Sequence, residues 1–76
     1  MKEFILYIAR SLVDHPDEVR VAETVNGQDL VLELRVAKDD LGKIIGRHGR
    51  TARILRTVLF AAAARSGQRV LLDIAE

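Results

Sequence analysis

Between Ile44 and Thr51 the chain reads Ile44-Ile45-Gly46-Arg47-His48-Gly49-Arg50-Thr51, a set of residues suited to holding an anion. Two glycines three apart interrupt what is otherwise one long helical pattern from about Asp40 to Ser66. Glycine costs roughly 1 kcal/mol against alanine inside a helix, so the pair predicts a tight turn between two short-linked helices. The missing side chains there let another backbone come close. A second helix beginning just past Gly49 aims its free N–H groups and positive dipole end into the same turn. Arg47, His48 and Arg50 surround it with cationic or hydrogen-bonding side chains. A phosphate fits that description better than a metal or an acyl group. The plain alternative is a helix–turn–helix corner whose glycines only permit close packing.

Charge points the same way. The net charge is +1, yet Leu41 to Arg65 carries six basic residues (Lys43, Arg47, Arg50, Arg53, Arg56, Arg65) and no acidic one. The remainder carries six basic and eleven acidic residues. Positive charge is therefore concentrated on the glycine turn and the helix after it, an electrostatic footprint for nucleic acid. An ordinary solvated helix face usually mixes signs.

Composition narrows the alternatives. Seventy-six residues predict one domain spanning 1–76, near the lower limit for folding without staples. With no cysteine, disulfides and thiolate metal sites are excluded, and two histidines do not make a metal site. No cofactor is expected. No apolar run approaches a membrane span, and Met1-Lys2-Glu3-Phe4 lacks the layout of a cleavable signal, so the cytoplasm is the expected location.

The elements that must position the turn follow from periodicity. Lys2 to Val13 reads as an amphipathic helix with Phe4, Ile5, Ile8, Ala9 and Leu12 on its apolar stripe. Tyr7 sits at the edge of that stripe, and Pro16 ends the segment by disfavouring helical geometry at His15. Val19 to Val25 and Leu30 to Val36 read as strands joined at Asn26-Gly27. The second alternates cleanly, with Leu30, Leu32, Leu34 and Val36 on one face. The first has Glu23 among its apolar positions and reads as an edge strand or a shorter buried segment. Asp39 or Lys38 caps a short helix through Ile45. Arg50 to Ser66 form the longest helix, with Ile54, Leu55, Val58, Leu59 and Ala62 as its buried stripe and Arg53 and Arg56 pointing away. Gly67 stops it, and Arg69 to Ile74 give a third strand. The order is α-β-β-α-α-β, a two-layer α+β domain of three strands covered on one face by three helices.

That order, together with Asp40-Leu41-Gly42-Lys43-Ile44-Ile45-Gly46-Arg47-His48-Gly49-Arg50-Thr51, resembles a type II KH domain over essentially the whole chain. Within that class it is most similar to the small stand-alone bacterial KhpA family. The resemblance implies an RNA-binding protein, an RNA chaperone or post-transcriptional regulator, that clamps about four nucleotides of single-stranded RNA in a groove beside the Gly-x-x-Gly loop. It implies that Gly46 and Gly49 admit the RNA backbone, and that Arg47 and His48 face phosphate or solvent. Lys43 and Arg50 flank the backbone, Arg53 belongs to the same site, and Ile44 or Ile45 with part of the second strand supplies an apolar floor. Ala52 stands where the family pattern usually has a branched aliphatic, which loosens the local packing or the groove. The resemblance also implies self-association and pairing with a larger multi-domain KH protein, Jag or KhpB.

Phe60 falls opposite the expected core stripe, beside Arg56 and Ala64, and these three are read as a partner surface. Aromatics are only 4% of the chain, so stacking platforms are not expected. Three rival functions fit these residues less well. Catalysis lacks a nucleophile with a partnered base, and the loop lacks the spacing of a P-loop. Duplex DNA binding by a helix–turn–helix fits poorly with three strands. A protein-interaction and dimerisation module with a vestigial groove conflicts with the acid-free basic stretch.

Overall fold

In the computed structural model, which describes residues 1–75, α1 (Lys2–Leu12) is followed by the hairpin β1 (Arg20–Asn26) and β2 (Asp29–Arg35). Then come α2 (Leu41–Ile45), α3 (Arg50–Ala64) and β3 (Arg69–Ile74). The expected α-β-β-α-α-β order and the α+β class are both present. The sheet order is β1-β2-β3, with β1 antiparallel and β3 parallel to the central β2. The whole α2–turn–α3 segment is therefore the crossover that a parallel pair requires.

The core lies between the sheet and the helices. Leu30, Leu32 and Leu34 of β2 meet Val70 and Leu72 of β3, Ile5 and Ala9 of α1, and Leu55, Leu59 and Ala63 of α3. Alternation in β2 puts every second residue in this layer, as its period of two demands. Of β1 itself only Val21 is buried, so the edge reading holds. Asn26 pairs with Asp29, which makes the hairpin connection Gly27-Gln28, one residue later than expected.

Two expected stripes are corrected. In α1, Phe4 and Leu12 are exposed and only Ile5 and Ala9 are fully covered, because the helix rests on an edge strand and a narrow strip reaches the core. In α3 the buried line is Ala52, Leu55, Leu59 and Ala63. Ile54 (61% exposed), Val58 and Ala62 lie outside it. Alanines at 52 and 63 let α3 approach its neighbours closely, and that contact, rather than apolar content, chooses the face.

Candidate nucleic-acid interface

The helix pattern breaks where the two glycines stand. The Gly46 N–H donates to the Gly42 carbonyl (2.9 Å) and closes α2; Gly46 then turns away at φ 77°, ψ 170°. A single 3-10 turn over Arg47–Gly49 follows, closed by the Gly49 N–H to the Gly46 carbonyl (3.1 Å). His48 is left-handed (φ 57°, ψ 25°), and so is Gly49 (φ 74°). The two glycines do different work. A Cβ on Gly46 would come within 2.7 Å of Thr51 Cβ and of the Thr51 backbone nitrogen, whereas one on Gly49 would meet nothing within 4 Å. Gly46 thus lets the chain fold back on α3, and Gly49 leaves a bare outer surface.

α3 begins at Arg50 with Gly49 as its N-cap and no side-chain cap; the Arg50 N–H already donates to the Arg47 carbonyl, and the positive dipole end of the helix lies beside that bare surface. Arg47, His48 and Arg50 are exposed around it, and Arg53 follows one turn on. Among the described residues none of Arg47, Arg50 and Arg53 forms an ion pair. Their charge is available to an incoming anion.

Lys43 is placed differently. Its ammonium contacts the Asp14 carboxylate and lies 3.6 Å from Asp40 Oδ1. The hydrogen bond to Asp14 raises its pKa above the ordinary 10.5 against the opposing effect of burial, with the charges of Asp14 and Asp40 adding to it. Asp40, only 1% exposed, accepts the backbone N–H of Asp14 (3.1 Å) and of His15 (3.0 Å). Burial works against its charge, but those two N–H groups, then the charges of His15 and Lys43, outweigh burial and hold the carboxyl below its ordinary 3.8. Asp40 does not cap α2 with its side chain, and neither does the pair Lys38 and Asp39 expected to do so.

The apolar floor is also corrected. Ile44 is 0% exposed and belongs to the core, so it is not a surface for bases; Ile45 is half-buried at the turn. The apolar face of β2 is inside as well. The open groove runs instead between α3 and the edge strand β3, lined by Arg53, Arg56 and Phe60 on one side and Val70, Leu71 and Leu72 on the other. Arg56 braces it by donating Nε–H to the Leu72 carbonyl (3.3 Å). Arg50, Arg53 and Phe60 share a helix face, so the groove continues from the glycine turn, Phe60 lying about 15 Å along the axis from Arg50. Phe60 and Arg56, expected on a partner surface, line this groove, and Ala64 is exposed at the end of α3. Ala52 faces inward and is buried, away from the groove. Spacing missed the β3 residues because it does not reveal which strand is an edge, and missed Asp40 because an acid before a helix looks like a cap.

A family model described as KhpA/KhpB, KH domain, matches residues 2–74. The chain belongs to that family. Its order of elements and mixed sheet are the type II KH arrangement. It is 54% identical over 74 residues to a protein of Halalkalibacterium halodurans, covering 97% of each chain. It is 50% identical to one of Clostridium acetobutylicum (97% of this chain, 99% of the relative) and 50% identical to one of Chlamydia pneumoniae (100% and 97%). All three are named RNA-binding protein KhpA, a name for binding and not for a reaction. No solved structure matches the chain significantly. Among the described residues no helix is long and apolar enough to cross a membrane, and no cluster of three or more His, Cys, Asp or Glu could hold a metal.

Proposed function

We propose that this KH domain binds single-stranded RNA, the phosphates lying on the turn at residues 46–49 and the bases entering the groove between α3 and β3. The observation that carries the reading is the bare outer surface at Gly49, set against an uncapped helix start and three unpaired arginines. Phosphate oxygens meet the positive dipole end of α3 beside Gly49, and Arg47, His48 and Arg50 add charge-assisted contacts. Ile45, Arg53, Phe60 and Leu71 then bound the path of the bases. Lys43 reaches phosphate only by loosening its contact with Asp14, so its contribution is smaller than that of the arginines. In the cell the domain acts in the cytoplasm as an RNA chaperone or post-transcriptional regulator. It associates with a second copy or with the KH domain of a KhpB partner.

The double change Arg47→Asp and His48→Asp tests the loop. Both side chains are exposed, so far-UV circular dichroism should be unchanged while affinity for a single-stranded oligoribonucleotide is lost. Each phosphate contact removed lowers the slope of log affinity against log salt by about 0.7. Undiminished affinity in a gel-shift assay sinks the assignment. A vestigial groove would show as no binding by the unmodified chain.

A further inference from the structure

One buried charged group takes no part in the binding just described. Asp40 immediately precedes α2, and its carboxylate is tied to the segment after α1, twenty-five and twenty-six residues earlier in the chain. α2 has five residues, far below the length at which a helix holds itself together in water. Its position must come from outside. Ile44 fixes its middle in the core, the turn joins its end to α3, and at its start the Asp40 carboxylate binds two backbone donors of the Asp14-His15 segment. Lys43 completes the arrangement from within α2 by contacting both Asp14 and Asp40. Gly46 follows three residues after Lys43, so any freedom at the start of α2 is transmitted to the glycine turn.

We infer that Asp40 is a positioning residue for the RNA-binding turn, anchoring α2 to the end of α1 so that residues 46–49 are presented in a single geometry. A carboxylate is required because both partners are donors, and a carboxylate accepts through both oxygens. An asparagine in its place accepts one N–H and turns its own NH2 toward the other. Binding would then require the turn to return to the competent geometry, and apparent affinity falls in proportion to the time it spends away from it. The functional half of this inference rests on the RNA reading above; the structural half does not.

The test compares the full chain with Asp40→Asn by amide hydrogen exchange and by RNA binding at several salt concentrations. Amides of residues 42–49 should exchange faster in the variant while those of Leu32 and Leu34 keep their rates. RNA affinity should fall roughly tenfold, as for a turn competent about a tenth of the time. The salt slope should stay the same, because Asp40 touches no phosphate. Equal loss of protection in the sheet and in α2 would make Asp40 a merely structural residue and overturn the inference. Unchanged exchange at 42–49, or faster exchange with undiminished affinity, would overturn it too. Should Asp40→Asn fail to fold, Lys43→Gln leaves both N–H bonds in place and is expected to loosen the same amides to a smaller degree. The exchange arm needs no RNA, so absence of binding by the unmodified chain registers as failure of the RNA reading alone.

Discussion

Gly46 and Gly49 share a positive φ but not their surroundings, and alanine at each position should separate the two roles. At Gly46 the new methyl group meets Thr51 side chain and backbone at once, adding overpacking to left-handed strain. Gly46→Ala should therefore destabilise the domain by about 3 kcal/mol or more. Gly49→Ala meets open space and carries only the strain, about 1–2 kcal/mol. Its methyl group stands on the surface proposed to meet phosphate, so RNA affinity should fall beyond what the stability change explains. Urea titrations and gel shifts on both variants read these effects apart. The glycine pair itself was legible in the sequence, since nothing else explains two poor helix formers at that spacing. Which glycine faces the protein was not, because that depends on the path of α3 and the place of Thr51. Ile44 and Ile45 show the same boundary. Adjacent isoleucines are equivalent in composition, and only the docking of α2 decides that the first is core.

At the scale of elements, every helix and strand was readable and the faces of two helices were not. α3 offers more apolar residues than one face can bury, so its rotation is set by the alanines that let it settle on β3 and α2. Two apolar surfaces remain on it, one carrying Phe60 along the groove and one carrying Ile54 and Val58. Phe60 belongs to the proposed base path, whereas among the described residues Ile54 lies outside both the core and the groove. Light scattering should report twice the 8.5 kDa chain mass for the unmodified protein. Ile54→Asp should return it to monomer, and Phe60→Asp should keep the dimer but weaken RNA binding. A dimer lost with Phe60→Asp would return the partner surface to Phe60, Arg56 and Ala64. The floor of the groove was misplaced for a related reason. Alternation identifies β2 as well-formed, but it does not reveal that the helices bury the whole of its apolar face, leaving only the half-exposed face of Val31 and Glu33 outside.

For the whole molecule, the cluster of Asp40, Asp14, His15 and Lys43 makes stability depend on pH at both ends of the scale. The Asp40 carboxyl is held below its ordinary 3.8, so its contribution is fully present above that pH and is lost as the pH falls through the lower folded value. Lys43 is raised above 10.5, so its contribution is present below that pH and is lost as the pH rises beyond it. The urea midpoint should decline below pH 3.8 and above pH 10.5, and Asp40→Asn should flatten the acid limb. An acid limb of unaltered steepness would assign that decline to other carboxylates.

The three-stranded sheet has a further consequence. Among the described residues only β2 is paired on both sides, so β1 and β3 each leave an outer rim, that of β3 met at the Leu72 carbonyl by Arg56. Such rims invite other chains to add on and begin fibrils. Arg20 and Glu23 guard one rim; Arg69, tied to Asp29 at 3.0 Å, and Asp73 guard the other. The charges on these short strands thus do a second job, keeping a domain with so little interior sheet from polymerising.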